Sequence, residues 1–379
     1  MIGAAVVAAG LGALHLPLPA PVRLPPPTGR SPACPCDEKE LCQVQSTWPQ
    51  HEILGFGGHN FEEYDWSQVT TVAWGTSPAL MCKAHTHKAR VVAATSAPIT
   101  ANQTAIQGYI DSTLASLRET FFDGVTFDWE NPVAGLDDPQ NAMYLDVINQ
   151  TTMALKRENP GYQTSVCAAW SPAGIDGRWY DYKALAEAVD FLYVMCYDTR
   201  SQIFDRCTAS ANAPMPRCQD GIEHFLQLGV PANKLVLGVP WYGYKYPCEG
   251  ATDAGVDQCF LAEVPFRGVN CSDAAGKEIP YSSIIQSVDA GQNSTEIRRD
   301  PYLRSPYVNM VENGTVYQVW YDDANSLGPL YEWAGDRGLR GTGPYTFDDL
   351  QGLSGAQAAP MWAALQRFKA ASERKAVVV

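Results

Sequence analysis

Two carboxylates stand two residues apart in the stretch from Phe121 to Asn131, which reads Phe-Phe-Asp-Gly-Val-Thr-Phe-Asp-Trp-Glu-Asn. Asp123-Gly124 reads as a turn, and the residues after it are strand-like, rich in β-branched and aromatic types. Alternation along a strand puts Thr126, Asp128 and Glu130 on one face and Val125, Phe127 and Trp129 on the other. Neighbouring carboxylates in a buried sheet repel each other and resist ionisation. The spacing suits a pair in which one carboxyl stays protonated as an acid while the other stays charged. A charge on one member of the pair raises the pKa of the other. The plain alternative is an edge strand carrying two solvated acids. Asp123, of opposite parity and ahead of the strand, is expected in a turn or supporting role.

The elements that position this pair alternate between strand and helix. Strand-like runs fall at 51–57, 69–74, 90–95, 163–170, 191–197 and 234–241. Helical spacing appears at 106–120, where Ile106, Ile110, Leu114 and Leu117 form one stripe, and again at 142–158, 182–188 and 221–228. This rhythm implies parallel strands joined by right-handed crossovers, and an eighth strand is expected near the C-terminus. No Gly-x-Gly-x-x-Gly turn comes after the first strand, so an α/β fold of the (β/α)₈ TIM-barrel type is favoured over a doubly wound sheet. The segment 242–338 interrupts the alternation and reads as a small α+β insertion between strands seven and eight, over the barrel mouth. Barrel chemistry sits at the C-terminal ends of strands. There the chain offers Asp128 and Glu130, then Trp170, then Met195, Tyr197 and Asp198, then Trp241 and Tyr242. Acids, tyrosines and tryptophans on one rim suit a sugar: aromatic faces stack on its C–H face and carboxyls move the proton.

The net charge of −14 argues against nucleic acid or an anionic membrane as partner. Residues 1–20 read as a signal peptide, with a short apolar run from Ile2 to Leu14, and 21–33 as a proline-rich lead-in to one domain over 34–379. Eleven cysteines leave at least one unpaired within the chain. Eight of them (Cys34, Cys36, Cys42, Cys207, Cys218, Cys248, Cys259 and Cys271) lie in loop-like contexts with room for four bridges. Cys167 and Cys196 sit in apolar strand patterns and read as buried thiols, while Cys82 stays open. Five glycosylation sequons, at Asn102, Asn149, Asn270, Asn293 and Asn313, fit a secreted chain. Cys82, His85 and His87 match no closed zinc site, and Trp48, Trp66 and Trp333 read as core or interface fillers. His59 and His224 have no evident partners in sequence.

Asp123-Gly-Val-Thr-Phe-Asp128-Trp-Glu130 resembles the Asp-x-x-Asp-x-Asp-x-Glu signature of glycoside hydrolase family 18, and Met195-Cys-Tyr197-Asp198 resembles that family's strand-six motif. Local features resemble one branch of the family: Cys34-Pro-Cys36, Ala79-Leu-Met-Cys82-Lys-Ala-His85, Pro240-Trp-Tyr-Gly-Tyr244 and Val319-Trp-Tyr-Asp-Asp323. The similarity runs from about Cys34 to about Lys369. It implies a retaining, substrate-assisted glycosidase that needs no cofactor or metal and acts on N-acetylglucosamine oligosaccharides. In that branch the product is N-acetylglucosamine from the reducing end of chitobiose-cored glycans, in glycoprotein breakdown. Glu130 is the implied general acid, Asp128 the group that orients the substrate's N-acetyl, and Tyr197 the donor to its carbonyl. Met195, Asp198, Trp241 and Tyr345 are the implied sugar contacts. The resemblance also implies a monomer in the secretory pathway, delivered to the lysosome. Two departures stand out: the signature's middle aspartate is Thr126, and Tyr345 stands where the family carries a floor tryptophan. The competing readings are a non-catalytic lectin of the same fold, which typically lacks the glutamate, and an endo-acting chitinase with a different cleft.

Overall fold

The apolar runs pair side by side in one direction and close on themselves. The computed structural model describes residues 33–292 and 294–378; the signal peptide, nearly all of the lead-in and the sequon residue Asn293 lie outside them. The first seven barrel strands are β1 (Glu52–Phe56), β2 (Thr71–Ala73), β3 (Arg90–Thr95), β4 (Gly124–Phe127), β5 (Gln163–Ala169), β6 (Phe191–Met195) and β7 (Leu235–Pro240). The excursion after β7 carries β8 (Tyr242–Pro247), β9 (Lys277–Pro280), β10 (Arg298–Arg299), β11 (Pro306–Glu312) and β12 (Thr315–Trp320). These five form a separate sheet in the order β10-β11-β12-β8-β9, and every pairing in it is antiparallel. The chain then returns to the barrel as β13 (Gly341–Tyr345), which slots between β1 and β7, and the closed order is β1-β13-β7-β6-β5-β4-β3-β2. β13 comes close to β1: a Cβ on Gly343 would lie 1.8 Å from the Leu54 carbonyl oxygen.

The helices α1 (Pro78–Thr86), α2 (Gln103–Thr120), α3 (Pro139–Glu158), α4 (Tyr182–Ala188) and α5 (Met215–Gln227) come after the second to sixth strands in turn. α6 (Tyr281–Asp289) belongs to the excursion, and α7 (Ala324–Arg337) and α8 (Gly355–Val378) pack together beside β13. Their ends are written in the sequence. The Asn102 side chain accepts from the Thr104 and Ala105 amides at the start of α2, which buries Ile106, Ile110 and Leu117. Asp323 and Ser326 form a capping box at α7. α2, α3 and α5 begin three to six residues before the hydrophobic spacing locates them, because polar first turns carry no apolar stripe.

Asp123 has no exposed surface and sits where β4 begins, at the opposite end of the barrel from Asp128 and Glu130. It accepts from the amides of Gln45 (2.8 Å) and Val91 (2.7 Å) and meets His85 Nε2 at 2.8 Å. Through it the cysteine-rich head is fastened to the base of the barrel. Burial works against a charge on His85, and Asp123 outweighs it, so the imidazole pKa is raised.

Five disulfides join Cys34–Cys42, Cys36–Cys82, Cys196–Cys218, Cys207–Cys271 and Cys248–Cys259. The expectation of bridges among the loop cysteines alone is thereby corrected. Cys196 is not a strand thiol, because β6 ends one residue earlier and Cys196 faces the Cys218 of α5. Cys82 is likewise bonded, and Cys167 is the free, buried thiol among the described residues.

Candidate active site

β4 stops at Phe127, and the backbone beyond it is braced rather than paired. The Asp128 amide donates to the Thr95 carbonyl at 3.1 Å. Trp129 points outward and stacks on Tyr180, with ring centroids 5.1 Å apart. The Tyr180 hydroxyl lies 3.0 Å from the Trp129 carbonyl oxygen and 2.6 Å from that of Asn131, so the chain is held on both sides of Glu130. The alternation read from the sequence survives past the end of the strand. Thr126, buried inside the barrel, makes a 2.5 Å hydrogen bond with Ser165. A neutral hydroxyl pair thus stands where the family signature carries a charge.

Asp128 is half-buried, and its Oδ1 lies out of solvent with no protein partner. Burial first, then the neighbouring Glu130, push its pKa up to about 7, against the pull of Arg178 and of a hydrogen bond from the Cys167 thiol. The shift on Asp128 follows from its being the less exposed member of the pair. Glu130 reaches toward solvent, with its side chain 45% exposed, and its Oε2 lies 3.0 Å from Arg178 Nη1. Arg178, 7% exposed, also binds Asp176 Oδ2 at 3.0 Å. Asp176 is held in turn by the Ser201 hydroxyl at 2.7 Å. Burial, the largest single influence, disfavours the guanidinium charge, but Glu130, Tyr182, Asp176 and Tyr180 together outweigh it and the Arg178 pKa rises.

The other wall is aromatic. Tyr345, at the end of β13, lies with its ring 5.3 Å from Tyr197, 5.5 Å from Phe56, 5.3 Å from Trp74 and 5.9 Å from Tyr242. Trp74 meets both Tyr345 and Phe56 edge-on, carries a left-handed φ of 67°, and keeps a buried Nε1 with no protein partner. A tryptophan in that backbone region is strained, as residues at binding sites often are. Burial holds the Tyr197 hydroxyl protonated far above its usual range. Met195 closes the inner layer beneath it, 8% exposed. Asp198 Oδ1 accepts from Tyr242 at 2.6 Å and Tyr244 at 3.0 Å, and its amide donates to Asn212 at 2.7 Å. Burial, then Glu278, push the Asp198 carboxyl up to about 7 despite those hydroxyls.

The mouth therefore gathers Asp128, Glu130, Met195, Tyr197, Asp198 and Tyr345. Two residues singled out in the sequence stand elsewhere. Asp123 is at the base, and Trp241 faces outward, with no exposure; its Nε1 donates to the Tyr331 hydroxyl at 3.2 Å and its ring packs on Trp362 at 5.1 Å. Adjacent residues at a strand end face opposite ways, so Tyr242, not Trp241, belongs to the mouth. Sequence reasoning also passed over Trp74, Asp176 and Arg178. Trp74 ends a recognised strand and was readable from that position; Asp176 and Arg178 lie in an aperiodic loop.

A closed parallel barrel with two carboxyls and a ring of aromatics at its C-terminal mouth is the architecture of a glycosidase. Residues 82–349 match the model of the glycosyl hydrolases family 18. The chain belongs to that family and is a glycosidase. It is similar to the probable di-N-acetylchitobiase 2 of Dictyostelium discoideum, 39% identical over 351 residues that span 88% of this chain and 90% of the relative. The di-N-acetylchitobiase of Homo sapiens is 36% identical over 344 residues, 88% of each chain. Among solved structures the class V chitinase of Nicotiana tobaccum shares the fold, with a TM-score of 0.67 at 17% identity over 85% of this chain and 100% of that one.

Proposed function

We propose that this glycosidase releases N-acetylglucosamine from the reducing end of chitobiose-cored oligosaccharides, with retention, using the substrate's own N-acetyl group as the nucleophile. The observation that carries the reading is Asp128: a half-buried carboxyl with one oxygen out of solvent and lacking a protein partner, immediately beside an acid that reaches the open mouth. A group so placed is shielded from attacking C1 as a solvated nucleophile and is suited to accepting an amide N–H. The family's substrate-assisted members depart from the two-carboxylate scheme in this same respect.

Before substrate binds, burial keeps a proton on Asp128 below about pH 7. A sugar N-acetyl N–H donated to Asp128 stabilises its charged form and lowers that pKa, so the carboxyl ionises as the sugar seats. Tyr197 donates to the acetamido carbonyl and turns its oxygen toward C1. The carbonyl oxygen attacks C1 as Glu130 protonates the glycosidic oxygen, and the C1–O bond breaks toward the leaving sugar. The resulting oxazolinium charge sits beside ionised Asp128 in low dielectric. Glu130 then takes a proton from the water that attacks C1, and the bond from C1 to the acetamido oxygen breaks, which restores the N-acetyl group, the acid and the original anomeric configuration. Tyr345 and Trp74 form the apolar platform, with Asp198 held by two tyrosine hydroxyls beside it.

We place the activity in glycoprotein breakdown, in the acidic lumen of the lysosome. Five disulfides support passage through an oxidising compartment, and carboxyls with raised pKa values favour acidic surroundings. The test is turnover of a free chitobiose-terminated glycan with the released sugar identified. Reducing-end N-acetylglucosamine, with the newly formed reducing end in the β configuration, supports the reading; release from the other end, or no turnover, removes it.

A further inference from the structure

The excursion between β7 and β13 sends one tight hairpin back to the catalytic acid. Phe266 and Val269 exchange both backbone hydrogen bonds, each at 2.9–3.0 Å, around the two-residue tip Arg267-Gly268. Both tip residues have positive φ, 44° and 87°, as a type I′ turn requires. Glycine, asparagine and aspartate take that conformation readily, whereas arginine in it is strained. The strain is matched by contacts that only a long, forked side chain makes. Arg267 Nη2 donates to the Glu130 carbonyl oxygen at 2.9 Å, and Nη1 donates to the Asp176 carbonyl oxygen at 2.7 Å. The Arg267 carbonyl oxygen accepts from Gln202 at 3.2 Å, and Gln202 also accepts from the Asp176 amide at 3.1 Å. One arginine thereby ties the excursion to the end of β4 and, through Asp176 and Gln202, to the loops after β5 and β6.

We infer that Arg267 is a specificity-determining residue, the wall that limits the leaving-group side of the cleft to a single unsubstituted sugar. The inference rests on the proposed assignment of Glu130 as the acid. Asp128 and Tyr197 flank the sugar whose C1 reacts, so the sugar that leaves lies on the other side of the Glu130 carboxyl. Arg178, bonded to the Glu130 carboxylate, and the Arg267 fork, bonded to the Glu130 backbone carbonyl, are the groups placed to bound that side. A chain continuing past its reducing-end sugar, or a substituent on that sugar, meets the fork and the hairpin behind it. A bare terminal sugar is accommodated and presents hydroxyls to the guanidinium. The substrate class this selects is an oligosaccharide ending in one free N-acetylglucosamine beyond the scissile bond.

The test uses a chitin tetramer whose reducing-end sugar carries an isotopic label, so that the sugar stays unsubstituted, and reads the ratio of labelled dimer to labelled monomer in the first products. Arg267→Gly removes the fork and suits the turn's backbone; Arg267→Asn, which also tolerates positive φ, guards against a peculiarity of glycine. Wild type is expected to yield labelled monomer, and both variants to raise the dimer-to-monomer ratio at least about tenfold, the scale of discrimination that one steric or polar contact supplies. A general loss of stability lowers both products together and leaves the ratio unmoved. An unchanged ratio in both variants, with wild type still releasing monomer, overturns the wall and leaves the proposed activity standing. Labelled dimer as the main product of wild type overturns both.

Discussion

Replacing Arg178 with methionine removes a buried cation while keeping an apolar chain of similar length. Its guanidinium lies 3.0 Å from Glu130 and 3.0 Å from Asp176. Charges about 4 Å apart interact by about 4 kcal/mol at an effective dielectric near 20. The Glu130 side chain is 45% exposed, which reduces its share of that interaction to about 1–2 kcal/mol. Arg178 also holds the Asp128 pKa below where burial alone takes it, so its removal moves that titration further up. The substitution thus has two effects with separate signatures. Loss of the fork that orients Glu130 lowers kcat on the acid side of the profile by about tenfold. Loss of the cation moves the alkaline limb of the pH–rate profile upward by about one unit, equivalent to about 1.4 kcal/mol. The assay is kcat and kcat/KM against pH on a chitobiose-terminated glycan, the limb being read in kcat/KM, which reports the free enzyme, with Arg178→Gln as a polar control and melting curves to establish folding. An Arg178 that only braces its loop would lower the rate at every pH with the limb unmoved, and that outcome refutes the electrostatic argument.

Tyr345→Ala deletes the ring that contacts Tyr197, Phe56, Trp74 and Tyr242; it is expected to raise KM by about tenfold with a smaller change in kcat, measured by steady-state kinetics. Asp123→Ala leaves two backbone amides and His85 without their acceptor in a site with no solvent contact, and a loss of about 3–5 kcal/mol is expected by denaturant unfolding. Asp128, Asp198, Asp322 and Asp349 are each raised from 3.8 to about 7, foremost by burial. A carboxyl whose folded pKa is raised takes up a proton on folding, so its stabilisation is complete below about pH 4 and is lost as pH climbs through 7. The raised His85 acts in the same sense. The unliganded protein is therefore expected to melt at a higher temperature at pH 5 than at pH 8, each group contributing up to about 1.4 kcal/mol per unit crossed; scanning calorimetry across that range checks it.

The barrel was legible because most of its strands, covered on both faces, read as largely apolar runs, and because strand parity carries a side chain's direction a residue or two beyond the last pairing. That parity placed Thr126, Asp128 and Glu130 on one inward face, and the same rule applied to Trp241 and Tyr242 would have sent the tryptophan outward. The illegible parts depend on tertiary contact. The Arg178–Asp176 brace and the Arg267 hairpin lie in segments without periodicity, and each meets Glu130 only after the barrel has closed. Disulfide partners are set by spatial approach: Cys196 looked like part of a strand until the strand's true end exposed it to α5. The raised pKa of Asp128 turns on burial, which spacing alone does not reveal.

Retention of wild-type fold with loss of turnover in a single isosteric variant bears most directly on the account. Glu130→Gln keeps the size of the side chain and removes its acid and base chemistry. On a free chitobiose-terminated glycan, kcat is expected to fall by at least about a thousandfold while the substrate still binds, read by single-turnover kinetics and direct titration. A Glu130→Gln variant that releases N-acetylglucosamine at the wild-type rate would contradict the assignment of the acid and the mechanism built on it.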